Sequence, residues 1–202
     1  MGAIDPALGV LGVSFIELLN SELFPGWLAT LNRRVSQSPR TLDPRNPETV
    51  AMFNLLTRAA MQTARQEKLE LLAAAFVSSG ETSTPDFLVD HFADLVVRFT
   101  PEHIRVLQIT ESPESHGLDA ARLTRVEVLE AASDGARHEL EDLNMIIDVV
   151  WNDLSVNGLV DSRFKVVLTN ALGTSESGDR AEVVIAEKGR RFLAHLGASS
   201  GA

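Results

Sequence analysis

The sequence predicts a mainly α protein: a helical bundle with a long central helix, followed by a C-terminal unit that contains one β-hairpin. Two observations support this prediction. Apolar residues recur at steps of three and four over most of the chain, which is the period of helices that bury one face. Segments rich in β-branched residues come late in the chain, and a polar loop separates them, as in a hairpin.

Residues 1–45 are predicted to hold an apolar N-terminal helix and an Arg/Pro-rich linker. The apolar stretch lacks charge only from Pro6 to Ile16, which is too short to cross about 30 Å of hydrocarbon, and no basic n-region precedes it. We therefore expect a helix buried on protein, with an interfacial anchor as the alternative. A short helix is expected at 27–35, and the prolines and arginines of 33–47 indicate the linker.

Residues 46–100 are predicted to form a helical body. Asn46, Pro47 and Glu48 are an N-cap, a first helical residue and a first-turn acid in the usual order. No helix breaker follows until Gly80, so we expect one helix of about 33 residues, roughly 50 Å long, that ends at a C′ glycine.

A second helix of this body is expected to start at Thr84-Pro85-Asp86. The face that we expect it to bury consists of Phe87, Leu88, His91, Phe92, Leu95 and Val96.

Residues 101–197 form the predicted C-terminal unit, and residues 198–202 a disordered tail. We expect three helices, two strands and a closing helix, in this order, at 101–111, 118–132, 137–157, 164–172, 181–186 and 188–196. Winged-helix domains have the same order of elements, so this unit resembles a winged-helix domain.

The charge of the predicted third helix argues against the function that such a domain would suggest. A helix that reads DNA needs donors facing the bases and cations for the phosphates. Residues 138–162 contain no Lys or Arg, and 101–197 carries 10 basic against 17 acidic residues. With a net charge of −10 for the chain, we expect neither nucleic acid nor a membrane as partner. If the protein does bind DNA, the wing contacts would come from Arg163, Lys165 and Arg180.

The sequence contains no constellation for catalysis, and none for a cofactor or a metal. It has no cysteine, and it lacks the motifs of phosphate-binding loops, dinucleotide folds, zinc proteases and serine hydrolases. Asp90, His91 and Asp94 are neighbours on a helix, but His91 lies on its apolar face and is expected to pack in the core. We therefore predict a non-enzymatic protein.

One cluster of positive charge stands apart from this acidic chain. Arg33, Arg34, Arg40 and Arg45 accompany a single acid, Asp43. The cluster is either a solvated linker or a docking strip for an acidic partner or nucleic acid.

The stretches RQEKLELLAAAFVSSG (65–80) and FLVDHFADLVVRFTPEHIRVLQI (87–109) resemble an uncharacterised family of bacterial α-helical proteins, which share a charged R-x-x-K-x-x-L-x-x-A helix. The arrangement is also similar to the abortive-infection alpha family. The C-terminal GL…G-x-x-F segment of that family corresponds here to Gly158-Leu159 and Gly189 to Phe192. The resemblance implies an α-rich bacterial protein with a setting in phage defence, and it supplies no catalytic residues.

We therefore expect a cytoplasmic bacterial interaction protein that forms a homodimer and uses helical surfaces to contact a protein partner. Only three of the eighteen basic residues are lysine, which is typical of GC-rich bacterial genes. The contact surface is expected on the long helix 47–79 or on helix 137–157. The alternative is a winged-helix transcriptional regulator that binds DNA.

Overall fold

The computed structural model describes residues 23–38, 42–80, 85–120, 123–132, 149–164 and 181–197. The chain divides into two compact units, Met1–Pro101 and Glu102–Ala202. The described part is mainly helical and includes a two-stranded antiparallel sheet near the C terminus. The predicted fold class, mainly α with one β-hairpin, is therefore confirmed. The predicted apolar helix before residue 23 and the predicted tail 198–202 lie outside the described residues.

The described part of the N-terminal unit consists of α1 (Phe24–Gln37), α2 (Pro47–Ala60), α3 (Gln66–Ser78) and α4 (Asp86–Arg98). α3 is the central helix, since it packs against α1, α2 and α4. Its middle is buried without interruption from Leu72 to Phe76. A helix surrounded by others is apolar round most of its circumference, which explains the run of leucine and alanine there.

The predicted single helix from residue 46 to 79 is wrong, because the chain leaves the helical conformation at residues 61–65. At this break the hydroxyl of Thr63 accepts the backbone N–H of Arg65 at 3.1 Å. Threonine side chains compete locally with helical hydrogen bonds in this way. The start of the helix is as predicted: Oδ1 of Asn46 accepts the N–H of Glu48 at 2.8 Å.

The break allows α3 to pack against α2 instead of continuing it. Their contact includes the rings of Phe53 and Phe76, which meet edge to face at 5.9 Å. Burial of two apolar faces against each other outweighs the helix propensity of a continuous segment. Gly80 does follow the end of α3, but it is not among the glycines with positive φ. Gly80 therefore does not form the left-handed C-terminal cap that the sequence predicts for this helix.

α1 extends further in both directions than the predicted helix 27–35. Trp27 is fully buried, and its Nε1 donates to Oγ1 of Thr57 at 3.0 Å, which ties α1 to α2. The helix continues to Gln37, so Arg33 and Arg34 are helical and the predicted linker does not begin at residue 33. The burial of Trp27 and Leu31 stabilises this helix. The C-terminal half of the helix is polar, so the sequence pattern there does not indicate that the helix continues.

The buried face of α4 was predicted only in part. Phe92, Leu95 and Val96 are buried, whereas Phe87 is 71% exposed. The buried stripe instead includes Val89 and Ala93, because α4 packs against α2 as well as α3. Leu88 and His91, also assigned to the buried face, are half-buried.

The described part of the C-terminal unit contains α5 (Pro101–Glu111), a 3₁₀ turn (Pro113–His116), α6 (Arg125–Ala132), α7 (149–156), β1 (Val160–Phe164), β2 (Ala181–Ile185) and α8 (Glu187–His195). The strands pair antiparallel, with Val160 opposite Ile185 and Phe164 opposite Ala181. The carbonyl of Leu123 also accepts the N–H of Val183 at 3.2 Å, so the segment before α6 contacts β2. This order of elements matches the predicted one.

Two boundaries in this unit differ from the prediction. The helix expected at 118–132 begins only at Arg125, because Thr124 and Glu127 form a capping box. The carboxylate of Glu127 accepts the N–H of Thr124 at 2.9 Å and its hydroxyl at 2.7 Å. The first strand lies at Val160–Phe164, and the expected strand residues 165–172 lie outside the described part, as do residues 137–148 of the expected third helix.

Candidate interaction surfaces

α7 exposes apolar side chains that take no part in the core. Val149 is 56% exposed and Val156 is 77% exposed. They are seven residues apart, so they lie on the same side of the helix. The opposite side is formed by Val150, Trp151 and Leu154, which are all buried. α7 is therefore anchored by one apolar face and presents a second one to solvent.

The C-terminal end of α7 is stabilised by a left-handed glycine and by two hydrogen bonds, one from the backbone and one from a lysine side chain. Gly158 has a φ of +67°, and the N–H of Leu159 donates to the carbonyl of Leu154 at 2.9 Å. This is the left-handed turn that commonly ends a helix. Nζ of Lys188 donates to the carbonyl of Asn157 at 2.9 Å, which complements the negative end of the helix dipole.

A contact between a histidine and an aspartate links α7 to α5. Nε2 of His103 lies 3.5 Å from Oδ2 of Asp153, and the imidazole is buried while the carboxylate is about half exposed. Beside Asp153 lies an open depression of about 510 Å³ whose lining includes Arg125 and Val149. Val126, at 45% exposure, is a further exposed apolar residue of this unit. The surface around α7 thus combines apolar side chains with a few charged ones.

The electrostatics of this surface differ from those of a DNA-reading helix. Over the described residues 149–156, α7 carries one acid, Asp153, and no Lys or Arg. On the closing helix, Nε of Arg191 lies 3.1 Å from Glu187 and Nη1 of Arg190 lies 3.9 Å from the same carboxylate. These two arginines therefore neutralise an acid of their own helix.

The predicted wing contacts can be located only in part. Arg163 lies in β1, in register with Glu182 of β2. Lys165 and Arg180 lie outside the described residues.

The structure places the arginines of the predicted docking strip in different settings. Arg33 on α1 forms an ion pair with Glu70 of α3. Arg34 is the next residue of α1 and is half-buried, about 100° further round the helix. Arg45 is exposed in the turn before α2, where its N–H donates to Oδ1 of Asp43 at 2.9 Å. Arg40 lies outside the described residues.

Lys68 caps the C-terminal end of α4. Its Nζ donates to the carbonyls of Val96 and Val97 in the last turn of α4 and to that of Phe99, the C-cap residue. Burial of the amine, together with the nearby Arg65 guanidinium, lowers the pKa of Lys68 from 10.5 to about 8. Lys68 stands in the charged stretch RQEKLE (65–70), so its neighbours in the sequence give no signal that it is buried.

The residues of the GL…G-x-x-F segment meet in space. A Cβ atom placed on Gly189 would lie 2.3 Å from the carbonyl oxygen of Leu159, so α8 approaches the start of β1 as closely as only glycine permits. Phe192, one turn later, is fully buried. In this chain the residues of this segment pack α8 against the start of β1.

Comparison with protein-family models, with curated proteins and with solved structures found no match. Among the described residues, no group of three or more His, Asp or Glu side chains is arranged to hold a metal ion. None of the described helices has the length and the apolar character needed to cross a bilayer.

Proposed function

We propose that the protein is a non-enzymatic bacterial interaction protein that forms a cytoplasmic homodimer through the exposed face of α7. The observation that supports this proposal is the pair of exposed valines, Val149 and Val156, on a helix whose other face already anchors it in the fold. Exposed apolar side chains grouped on one face commonly indicate a protein contact. The absence of cations on the described residues of α7 favours a protein over a nucleic acid as partner.

The two exposed valines by themselves cover less surface than a stable dimer buries. Stable dimers bury about 800 Å² per partner, and we expect Val126 and the depression beside Asp153 to contribute to the contact. We expect a dissociation constant in the micromolar range, since interfaces at the lower end of the size range are weak.

Sedimentation velocity across micromolar concentrations tests the proposal. The wild-type protein should pass from monomer to dimer, and Val156→Glu should remain monomeric, because it places a charge in the apolar contact. Phe87→Ser, which removes an exposed apolar side chain from the N-terminal unit, is the matched control and should dimerise normally. A wild-type protein that stays monomeric throughout, or a Val156→Glu variant that dimerises like wild type, would refute the proposal.

A winged-helix DNA-binding regulator is the second candidate, and the order of elements from α5 to α8 favours it. Its test is the affinity for duplex DNA as a function of salt, since each phosphate contact adds to the salt dependence. Arg163→Ala combined with Lys165→Ala should abolish such binding if the wing contacts DNA. The setting in phage defence rests on the family resemblance, and plaque formation with and without the expressed protein would test it.

A further inference from the structure

A groove in the N-terminal unit has an apolar floor and an acidic rim. It lies between α2 and α4 and encloses about 360 Å³, and its lining includes Met52, Leu55, Val89, Glu48, Asp86 and Asp90. Met52 and Val89 are buried at its base, while Leu55 remains 38% exposed. The groove therefore presents apolar surface that the described helices do not cover.

Phe87 is an exposed apolar side chain of α4 that directly follows Asp86, a lining residue of the groove. Its side chain is 71% exposed, and it precedes Asp90 by three residues, so the two lie side by side on the helix. Leu55 and Phe87 are the exposed large apolar side chains within the described part of the N-terminal unit. Leu55 lines the groove, whereas Phe87 is not one of its lining residues and lies next to Asp86 in the chain and about one turn before Asp90. Exposed aromatic residues of this kind are frequent anchors in protein interfaces.

The charged side chains among the described residues that line the groove are all acidic. Glu48, Asp86 and Asp90 are exposed, and the described lining contains no Lys, Arg or His. Asp94 follows one turn later on α4 and is exposed as well. Carboxylates beside an apolar surface attract a cationic partner and repel an acidic one, so charge selects the occupant.

We propose that this groove binds a basic amphipathic helix of another protein. Leu55 and Phe87 would contact apolar side chains of that helix, while Glu48, Asp86 and Asp90 would pair with its Lys or Arg residues. A groove between two helices accepts a third helix through anchors spaced by about one turn. This site lies in a different unit from the α7 face and takes a different kind of partner, so it does not depend on the proposed dimer.

The probe for this site is a synthetic amphipathic helical peptide, labelled with fluorescein, that carries leucines at i, i+4 and i+7 and lysines on its flanks. A second peptide has the same leucines and glutamates in place of the lysines. Fluorescence anisotropy with the full chain should show binding of the basic peptide, weakening as salt is added, and no binding of the acidic peptide.

Substitutions in and away from the groove test whether the basic peptide binds there. Phe87→Ser should weaken binding of the basic peptide by about tenfold or more. Asp86→Asn combined with Asp90→Asn should weaken it about tenfold and flatten its salt dependence. Glu114→Gln combined with Asp161→Asn is the matched control: it removes two exposed carboxylates from the C-terminal unit and should leave affinity unchanged. Circular dichroism confirms that each variant is folded, which is expected because all these side chains are exposed.

Three outcomes would overturn the proposal. The first is failure of the basic peptide to bind the wild-type protein. The second is equal weakening by both pairs of charge substitutions, which would show a general attraction to an acidic chain. The third is loss of self-association in Phe87→Ser with unchanged peptide binding, which would make the groove a contact between copies of this chain.

Discussion

Replacement of Gly189 by alanine is expected to destabilise the C-terminal unit, although alanine usually stabilises a helix. A Cβ atom at this position would lie 2.3 Å from the carbonyl oxygen of Leu159 and 2.9 Å from Cγ1 of Ile185. The nearer atom belongs to the backbone, and the same carbonyl accepts the N–H of Ala186 at 2.9 Å. Rotation of a side chain cannot relieve the clash, so α8 has to move away from the start of β1.

The expected loss is about 2 kcal/mol in the free energy of unfolding. Overpacking of a core contact costs about 1–3 kcal/mol, and a weakened hydrogen bond from Ala186 to Leu159 adds up to about 1 kcal/mol. The higher helix propensity of alanine offsets about 1 kcal/mol of this. For a chain of 202 residues, the corresponding fall in Tm is about 4–8 °C.

Urea unfolding followed by circular dichroism and tryptophan fluorescence measures this change. The chain contains two tryptophans, of which Trp27 lies in the N-terminal unit and Trp151 in the C-terminal unit, so fluorescence samples both. Gly26→Ala is the matched control, because a Cβ atom on this exposed glycine of α1 meets nothing within 4 Å. It should stabilise the protein by up to about 1 kcal/mol. If Gly189→Ala were as stabilising as Gly26→Ala, the inferred close approach of α8 to Leu159 would be wrong.

The remaining predictions concern a buried amine and a helix cap. The pKa of Lys68 is about 8 in the folded protein, against 10.5 for an unperturbed lysine. Between these two pH values the unfolded state binds more protons than the folded state. The free energy of unfolding should therefore rise as the pH increases from about 8 to 10.5. The rise should reach at most about 3 kcal/mol and should be absent in Lys68→Met. The chain has no tyrosine or cysteine and only two other lysines, so few other side chains titrate there; a rise of equal size in wild type and variant would contradict the prediction. Thr124→Ala should destabilise the C-terminal unit by about 1 kcal/mol, and Thr124→Ser should be nearly neutral. Hydrogen bonds from Thr124 lower the pKa of the Glu127 carboxyl, so an NMR titration should show that pKa rising towards its usual value in Thr124→Ala but not in Thr124→Ser.

Local signals in the sequence located several boundaries correctly. The start of α2 follows from Asn46-Pro47-Glu48, and the Asn46 side chain makes the expected cap. α4 begins at Asp86, within the predicted start Thr84-Pro85-Asp86, but its N-cap residue is Pro85 and no side chain caps it. The capping box of Thr124 and Glu127 was equally visible in the sequence but was not recognised, and α6 was therefore predicted to start too early.

The break between α2 and α3 was not predicted, because no glycine or proline lies in residues 61–65. Its cause is the packing of α3 against three other helices, which a pattern within one segment does not contain. The exposure of Phe87 was missed for the same reason: periodicity gives the spacing of an apolar stripe, but the neighbouring helices decide which edge of the stripe is covered.

The sequence by itself determined the helical class, the late hairpin and the acidic character of the protein, because these depend on composition, on period and on residues adjacent in the chain. Only the tertiary structure decided which apolar side chains remain exposed, that Lys68 caps α4, and that Gly189 meets Leu159. These features depend on contacts between residues about thirty positions apart. Such contacts form only when helices pack, and packing is decided by the fit of whole faces.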